Sequence, residues 1–186
     1  MPGGEGRAVD VRAASEPVAL VKPGLQAPTI RGSGARTVVV GGDRPGRRAL
    51  RILVPGFAAE PGCASGRMNV SGAVQRSFAG TSPTAVFVTA RSVASATDRI
   101  ELTLIEADGA PWGTTVKLTP DWQQICIPLA DFTFFKHWPH PAARGGDGDH
   151  ANGAAIQSVG LCFGAWQYPE TRTAPHGFDI QSVALE

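Results

Sequence analysis

Aromatic and imidazole side chains crowd into one short stretch, where Phe134 and Phe135 are followed by His137-Trp138-Pro139-His140-Pro141. A second group follows at Trp166 and Tyr168, which bracket Gln167, and Trp112 stands between Pro111 and Gly113. Indole and phenol rings carry a large rigid apolar face and one polar handle, so an exposed one can serve as a platform for a flat polar ligand. Loops run over the surface. That favours Trp138 as a contact residue over Trp122, which opens a strand after Pro120-Asp121 and reads as core. Packing competes with binding at each position. Phe134, Phe135 and Trp138 could bury themselves to pin their own loop, and Trp112 divides evenly between site and core.

Two further chemistries are open to the same residues. His137, His140 and His150, with Asp147 and Asp149, contain donor types that bind transition metals. The two prolines exclude a helical ligand pair, however, and none of the three cysteines lies in a CxxC. The run Gly145–His150 approaches a calcium repeat but occurs once and has histidine where the repeat needs aspartate. An EF-hand loop fails for lack of its glycine. Catalysis needs a nucleophile with a base, or paired carboxylates. There is no GxSxG and no phosphate-binding glycine loop. His137, Tyr168 and Arg144 could together abstract a proton, and Arg144 could also meet an acidic ligand.

The elements that must position these residues are short strands. Gly (23) and Pro (15) are scattered through a chain of 186 residues, which marks many turns. Leu50, Ile52 and Val54 alternate, as do Ile100, Leu102 and Leu104, and then Ile125, Ile127 and Leu129. Thr84–Arg91 is a continuous apolar run and reads as a central strand. Asp108-Gly109 predicts a hairpin over residues 99–118. Residues 57–72 read mainly as loop, Ala73–Phe78 as a strand, and about 133–154 as a long loop. Strands close the chain at 155–164 and 178–185, the last with a bulge between Ile180 and Val183. No helix longer than two turns is predicted. The count of eight to ten strands predicts an all-β, two-sheet antiparallel sandwich of the jelly-roll kind over 36–186, with 1–35 as linker or edge segment.

A formal net charge of +1 gives no reason to expect nucleic acid or an anionic membrane as partner. Cys63, Cys126 and Cys162 allow at most one disulfide. Cys126 and Cys162 share the non-core parity of their strands, so they could bridge if those strands were neighbours.

The succession of a strand, an Asp-Gly turn, a strand, Trp122-Gln-Gln-Ile-Cys-Ile-Pro-Leu-Ala-Asp-Phe132, a long loop and two terminal strands resembles the galactose-binding-like β-jelly-rolls. These include many carbohydrate-binding modules attached to glycoside hydrolases and polysaccharide lyases. The resemblance covers about residues 36–186, and Trp122–Phe132 is its best-matching piece. It implies a non-catalytic accessory module that binds an oligo- or polysaccharide beside a catalytic domain of the same chain, in an extracellular or periplasmic setting. Met1–Arg7 carries no apolar signal-peptide core. On this resemblance the expected ligand contacts are Trp138, His137, His140, Trp166, Tyr168, Trp112 and Arg144. No cofactor is required, although a structural calcium accompanies many relatives that end in Ile-Asp-Asp-Val-x-Leu. Here the matching residues are Ile180-Gln181-Ser182-Val183-Ala184-Leu185, without either aspartate, so Asp179 and Gln181 are the candidate oxygen donors. A structural sandwich packed on a catalytic domain, and a jelly-roll glycan lyase or hydrolase, are the alternatives.

Overall fold

In a computed structural model that describes residues 18–19, 30–59, 61–69, 82–134 and 150–186, eleven strands form two antiparallel sheets. The larger sheet runs β2 (Arg36–Gly41), β3 (Arg48–Val54), β11 (His176–Leu185), β5 (Ala85–Ser92), β8 (Gln123–Pro128), with β1 (Val18–Ala19) also paired to β11. The smaller runs β4 (Cys63–Asn69), β10 (Ile156–Gly164), β6 (Arg99–Glu106), β7 (Pro111–Lys117), β9 (Thr133–Phe134). Among the described residues the only helical pieces are single 3₁₀ turns at Leu129–Asp131 and Gly153–Ala155. The expected all-β sandwich is what the chain forms.

Period-two alternation builds the core. Ile100, Leu102 and Leu104 of β6 are fully buried against Val159, Leu161 and Phe163 of β10 from the same sheet and Val86, Val88 and Ala90 of β5 from the other. Each fully buried side chain of this size is worth about 1.5–3 kcal/mol relative to exposure. The Asp108-Gly109 hairpin forms as expected, with Gly109 at φ 91° and the Asp108 carboxylate accepting from Ala110 N. Its return strand begins at Pro111. The bulge in β11 is present as a register shift between Ile180 and Ser182.

Two strands fall in stretches expected to be loop, the short β9 and β4. β4 reads Cys-Ala-Ser-Gly-Arg-Met-Asn, with no β-branched residue, within a stretch expected to be loop. It is an edge strand whose Ala64 and Gly66 face Phe163 and Leu161, so the large side chains come from its partner. Residues ahead of 36 also join the sandwich: Val18 pairs with Leu185, Ile30 is buried, and Arg31 bridges to Ser65. The strand expected at Ala73–Phe78 lies outside the described residues.

Candidate functional site

The outer face of the larger sheet carries the polar chemistry. Inward parity belongs to Leu50 and Ile52 on β3, Phe178 and Ile180 on β11, Val86 and Val88 on β5, and Ile125 and Ile127 on β8. The alternating residues therefore face out. Registers Arg51↔Asp179 and Asp179↔Arg91 set three charged side chains in one row across β3, β11 and β5. Trp122, one residue before β8, extends that row, and the Arg91 guanidinium lies 4.9 Å from its ring centroid. The next row holds Ser182, Thr89 and Gln124, again paired across strands.

Asp179 is the anchor of the first row. Its carboxylate is completely buried and accepts three N–H bonds: Arg51 Nε at 2.7 Å, Arg51 Nη2 at 2.9 Å and Arg91 Nε at 2.9 Å. The bidentate bond from Arg51 raises that guanidinium's pKa above its ordinary value, against the opposing effect of burial. One carboxylate thus orients two guanidinium groups, and the second of these supports the Trp122 ring.

The bulge aims Gln181 sideways at the β2–β3 turn. Its side-chain oxygen accepts the Asp43 N–H at 2.8 Å, and the amide lies directly over Gly42. A Cβ at residue 42 would stand 2.1 Å from that oxygen and 2.8 Å from Arg47 Cβ, so glycine is the residue that fits. The turn is closed by Gly42 N donating to the Arg47 carbonyl at 2.9 Å. Turn and sheet together enclose a cleft of about 410 Å³. Thr89, Ser182 and Gln124 form its floor, Asp43, Arg44 and Arg47 one wall, and Trp122 with Gln123 the other. One aromatic ring, three glutamines if Gln181 is counted, and two hydroxyls make a site that can stack on a ring-shaped ligand and exchange hydrogen bonds with it.

None of the expected contact residues that the structure describes lines this cleft. His137, Trp138, His140 and Arg144 lie outside the described residues, as do Asp147 and Asp149 of the metal reading. Trp112 is 1% exposed and packs edge-on against Phe134, so it belongs to the core. Trp166 and Tyr168 do not share a face, because the strand ends at Gly164 and a turn follows. Tyr168 folds inward at 3% exposure, stacks on Phe57 and donates its hydroxyl to the Arg99 carbonyl; burial pushes its pKa up to about 12. Trp166 stays 54% exposed, its ring edge lying against Gly164 and away from the cleft lining. It remains a free aromatic surface on the other sheet.

Trp122 reverses the expectation of a core residue: it is half-buried and forms a cleft wall. Parity could have found it. With Ile125, Ile127 and Leu129 inward, Trp122 shares its side with Gln124 and Cys126. The candidate calcium donors do not fit a cation. Both oxygens of Asp179 are taken by guanidinium donors, and Gln181 Oε1 is taken by a backbone N–H. Among the described residues no group of three His, Cys, Asp or Glu side chains is arranged to hold a metal. Cys126 lies in the larger sheet and Cys162 in the smaller, so the two cannot bridge, and all three thiols are free.

No protein-family model matches the chain and no curated protein matches it in sequence. Its fold does have close company among solved structures. The family 11 carbohydrate-binding module of a cellulosomal cellulase of Clostridium thermocellum superposes with a TM-score of 0.60 at 14% identity, over 91% of this chain and 92% of that module. The family 11 module from the same organism in complex with a β-1,3-1,4-mixed-linked tetrasaccharide gives 0.59 at 15% identity, over 87% of this chain and 89% of that one. A family 30 carbohydrate-binding module gives 0.56 at 12% identity, over 91% and 98%. The chain has the β-sandwich fold of these carbohydrate-binding modules.

Proposed function

We propose that this chain is a saccharide-binding module and that the cleft on the outer face of the larger sheet is where the saccharide lies. The observation that carries this is Trp122: an indole braced from behind by Arg91 and set beside hydroxyl and amide groups at the mouth of a polar cleft. A pyranose offers an apolar C–H face and a rim of hydroxyls, and such a wall and floor match both. The complex of a structurally similar module with a tetrasaccharide supports the same reading.

Asp43 is the one carboxylate among the described residues that line the cleft. Glycoside hydrolysis uses two, one on each side of the scissile bond. The cleft therefore supports binding rather than turnover. In this reading the module holds a catalytic domain of the same chain near a polysaccharide, outside the cytoplasm, as the cellulosomal origin of one structural neighbour suggests.

Calorimetric titration with neutral and acidic oligosaccharides tests the proposal. Binding in the micromolar-to-millimolar range is expected, without release of new reducing ends. Trp122→Ala is expected to abolish it while leaving the thermal unfolding transition cooperative. Retained affinity in Trp122→Ala, with loss in Trp138→Ala or Trp166→Ala, would move the site to the loop or to the exposed tryptophan of the smaller sheet.

A further inference from the structure

We infer that the saccharide taken by this cleft carries an anionic group, a uronate carboxylate or a sulfate ester, and that Arg47 receives it; this rests on the saccharide-binding reading above. Charge at this face is the first ground. The cleft wall holds Arg44 and Arg47, and the row beside it holds Arg51 and Arg91. Against these four guanidinium groups stand two carboxylates, Asp43 and Asp179, a local net of +2. The whole chain carries only +1 at pH 7, so the excess is concentrated here and is not a general property of the surface.

The pairing pattern singles out Arg47. Asp179 is committed to Arg51 and Arg91, and Asp43 Oδ2 lies 3.4 Å from Arg44 Nε. No ion pair among the described residues involves Arg47. Its backbone is held on both sides, its N–H donating to the Arg44 carbonyl at 3.1 Å and its carbonyl accepting from Gly42 at 2.9 Å. The stem is thus fixed beside Gly42 while the planar fork of donors is available to the cleft. That fork matches a carboxylate or sulfate, to which it can give two parallel bonds. Asp43 Oδ1 is buried without a partner at the same wall.

Calorimetry on the full chain with three oligosaccharides of equal length separates the possibilities: a neutral mixed-linked β-glucan, an oligogalacturonate and a sulfated galactan. One of the two anionic ligands is expected to bind roughly tenfold or more tighter than the neutral one at 50 mM NaCl, a ratio that one charge-assisted bond can supply. Which of the two wins identifies the group as carboxylate or sulfate. The advantage is expected to shrink at 500 mM NaCl, where the screening length is only a few ångströms. Arg47→Gln, a change in an exposed turn, is expected to bring the anionic-to-neutral ratio close to one at an unchanged melting temperature. A neutral glucan that binds as well as either acidic ligand, or an acidic preference untouched by Arg47→Gln, overturns the inference and leaves the saccharide reading standing. No binding of any of the three by the folded chain removes that reading as well.

Discussion

The Arg91 guanidinium sits 4.9 Å from the centre of the Trp122 ring while its Nε donates to Asp179, so a buried carboxylate sets the position of a half-buried aromatic wall through one intermediary. Arg91→Ala is expected to remove this brace without removing any lining residue of the cleft. Saccharide affinity should fall about three- to tenfold, the scale of a cation–π contact plus the added freedom of the indole. Arg91→Lys keeps the charge but not the flat fork, and should recover only part of the loss. Tryptophan fluorescence should show a more solvated indole in Arg91→Ala. An unchanged affinity would mean that packing along β8 alone orients Trp122.

Asp179→Asn tests the centre of the same row. It leaves two guanidinium groups facing a neutral amide in a fully buried position. Breaking a fully buried pair costs about 3–5 kcal/mol, and because Arg51 and Arg91 keep about 30% of their side chains exposed, a loss nearer 2–3 kcal/mol is expected. Urea unfolding should show it as a lower midpoint at unchanged slope. A stability within about 0.5 kcal/mol of the unmodified chain would show that solvent already screens the row.

How much of this was legible in the sequence follows from distance along the chain. Ile100, Leu102 and Leu104 declare a half-buried strand from their own spacing, and Asp108-Gly109 declares its turn, so the sandwich could be read locally. β4 could not, because its small residues are complementary to Phe163 and Leu161, about 95–100 positions later. The site divides the same way. Trp122 was within reach of a parity argument, whereas the wall made by Gln181 and Asp43 joins residues 138 positions apart through a bulge. Spacing marks where that bulge is but not which turn its side chain meets. Two of the candidate aromatic residues, Trp112 and Tyr168, fill the core because the strand and turn carrying them put their rings on the inner side.

Gly42→Ala probes the wall that the bulge supports. The new methyl meets the flexible end of Gln181 and also the less yielding Arg47 Cβ at 2.8 Å, so a loss of stability of about 1–3 kcal/mol is expected. The cost to binding should be larger, because Gln181 and Arg47 both shift. Gln181→Ala loses the bond to Asp43 N but removes the glutamine clash, leaving only the one with Arg47 Cβ. The double variant should therefore be less damaged than the sum of the two single ones, a coupling that a double-mutant cycle in melting temperature and affinity reads directly. Strict additivity would place the clash elsewhere.

Thiol chemistry offers an independent check of which strand faces which way. Cys126 is exposed on the outer face of β8, whereas burial pushes the Cys162 thiol up to about 12. The thiolate is the reactive form. Iodoacetamide at pH 8 should alkylate Cys126 at once and leave Cys162 intact until the chain unfolds, as peptide mass mapping would show. Early modification of Cys162 would contradict the packing of the smaller sheet's outer surface.

His176 ties stability to pH at the end of the sandwich opposite β1. It is 1% exposed, with ring contacts to Phe57 at 4.8 Å and Tyr168 at 4.3 Å. Nε2 lies 3.0 Å from the Thr171 carbonyl, so that nitrogen carries the hydrogen, and Nδ1 lies 3.2 Å from Thr97 Oγ1. The Thr97 oxygen already accepts from Gly177 N at 2.9 Å and gives its own hydrogen to Nδ1. The neutral imidazole therefore satisfies every partner, and a second proton would meet an oxygen already in use. Burial lowers the pKa, against the opposing pull of the Thr171 and Ala96 backbone. Below the ordinary histidine value of 6.5 the unfolded chain takes up a proton that the folded chain refuses. Stability present above that pH is thus lost as pH falls toward the folded value, with a slope of at most about 1.4 kcal/mol per pH unit. Urea midpoints measured between pH 7.5 and 5 should trace this decline. His176→Gln, which keeps a donor for Thr171 but cannot titrate, should flatten it; parallel curves for the two chains would assign the acid sensitivity to other groups.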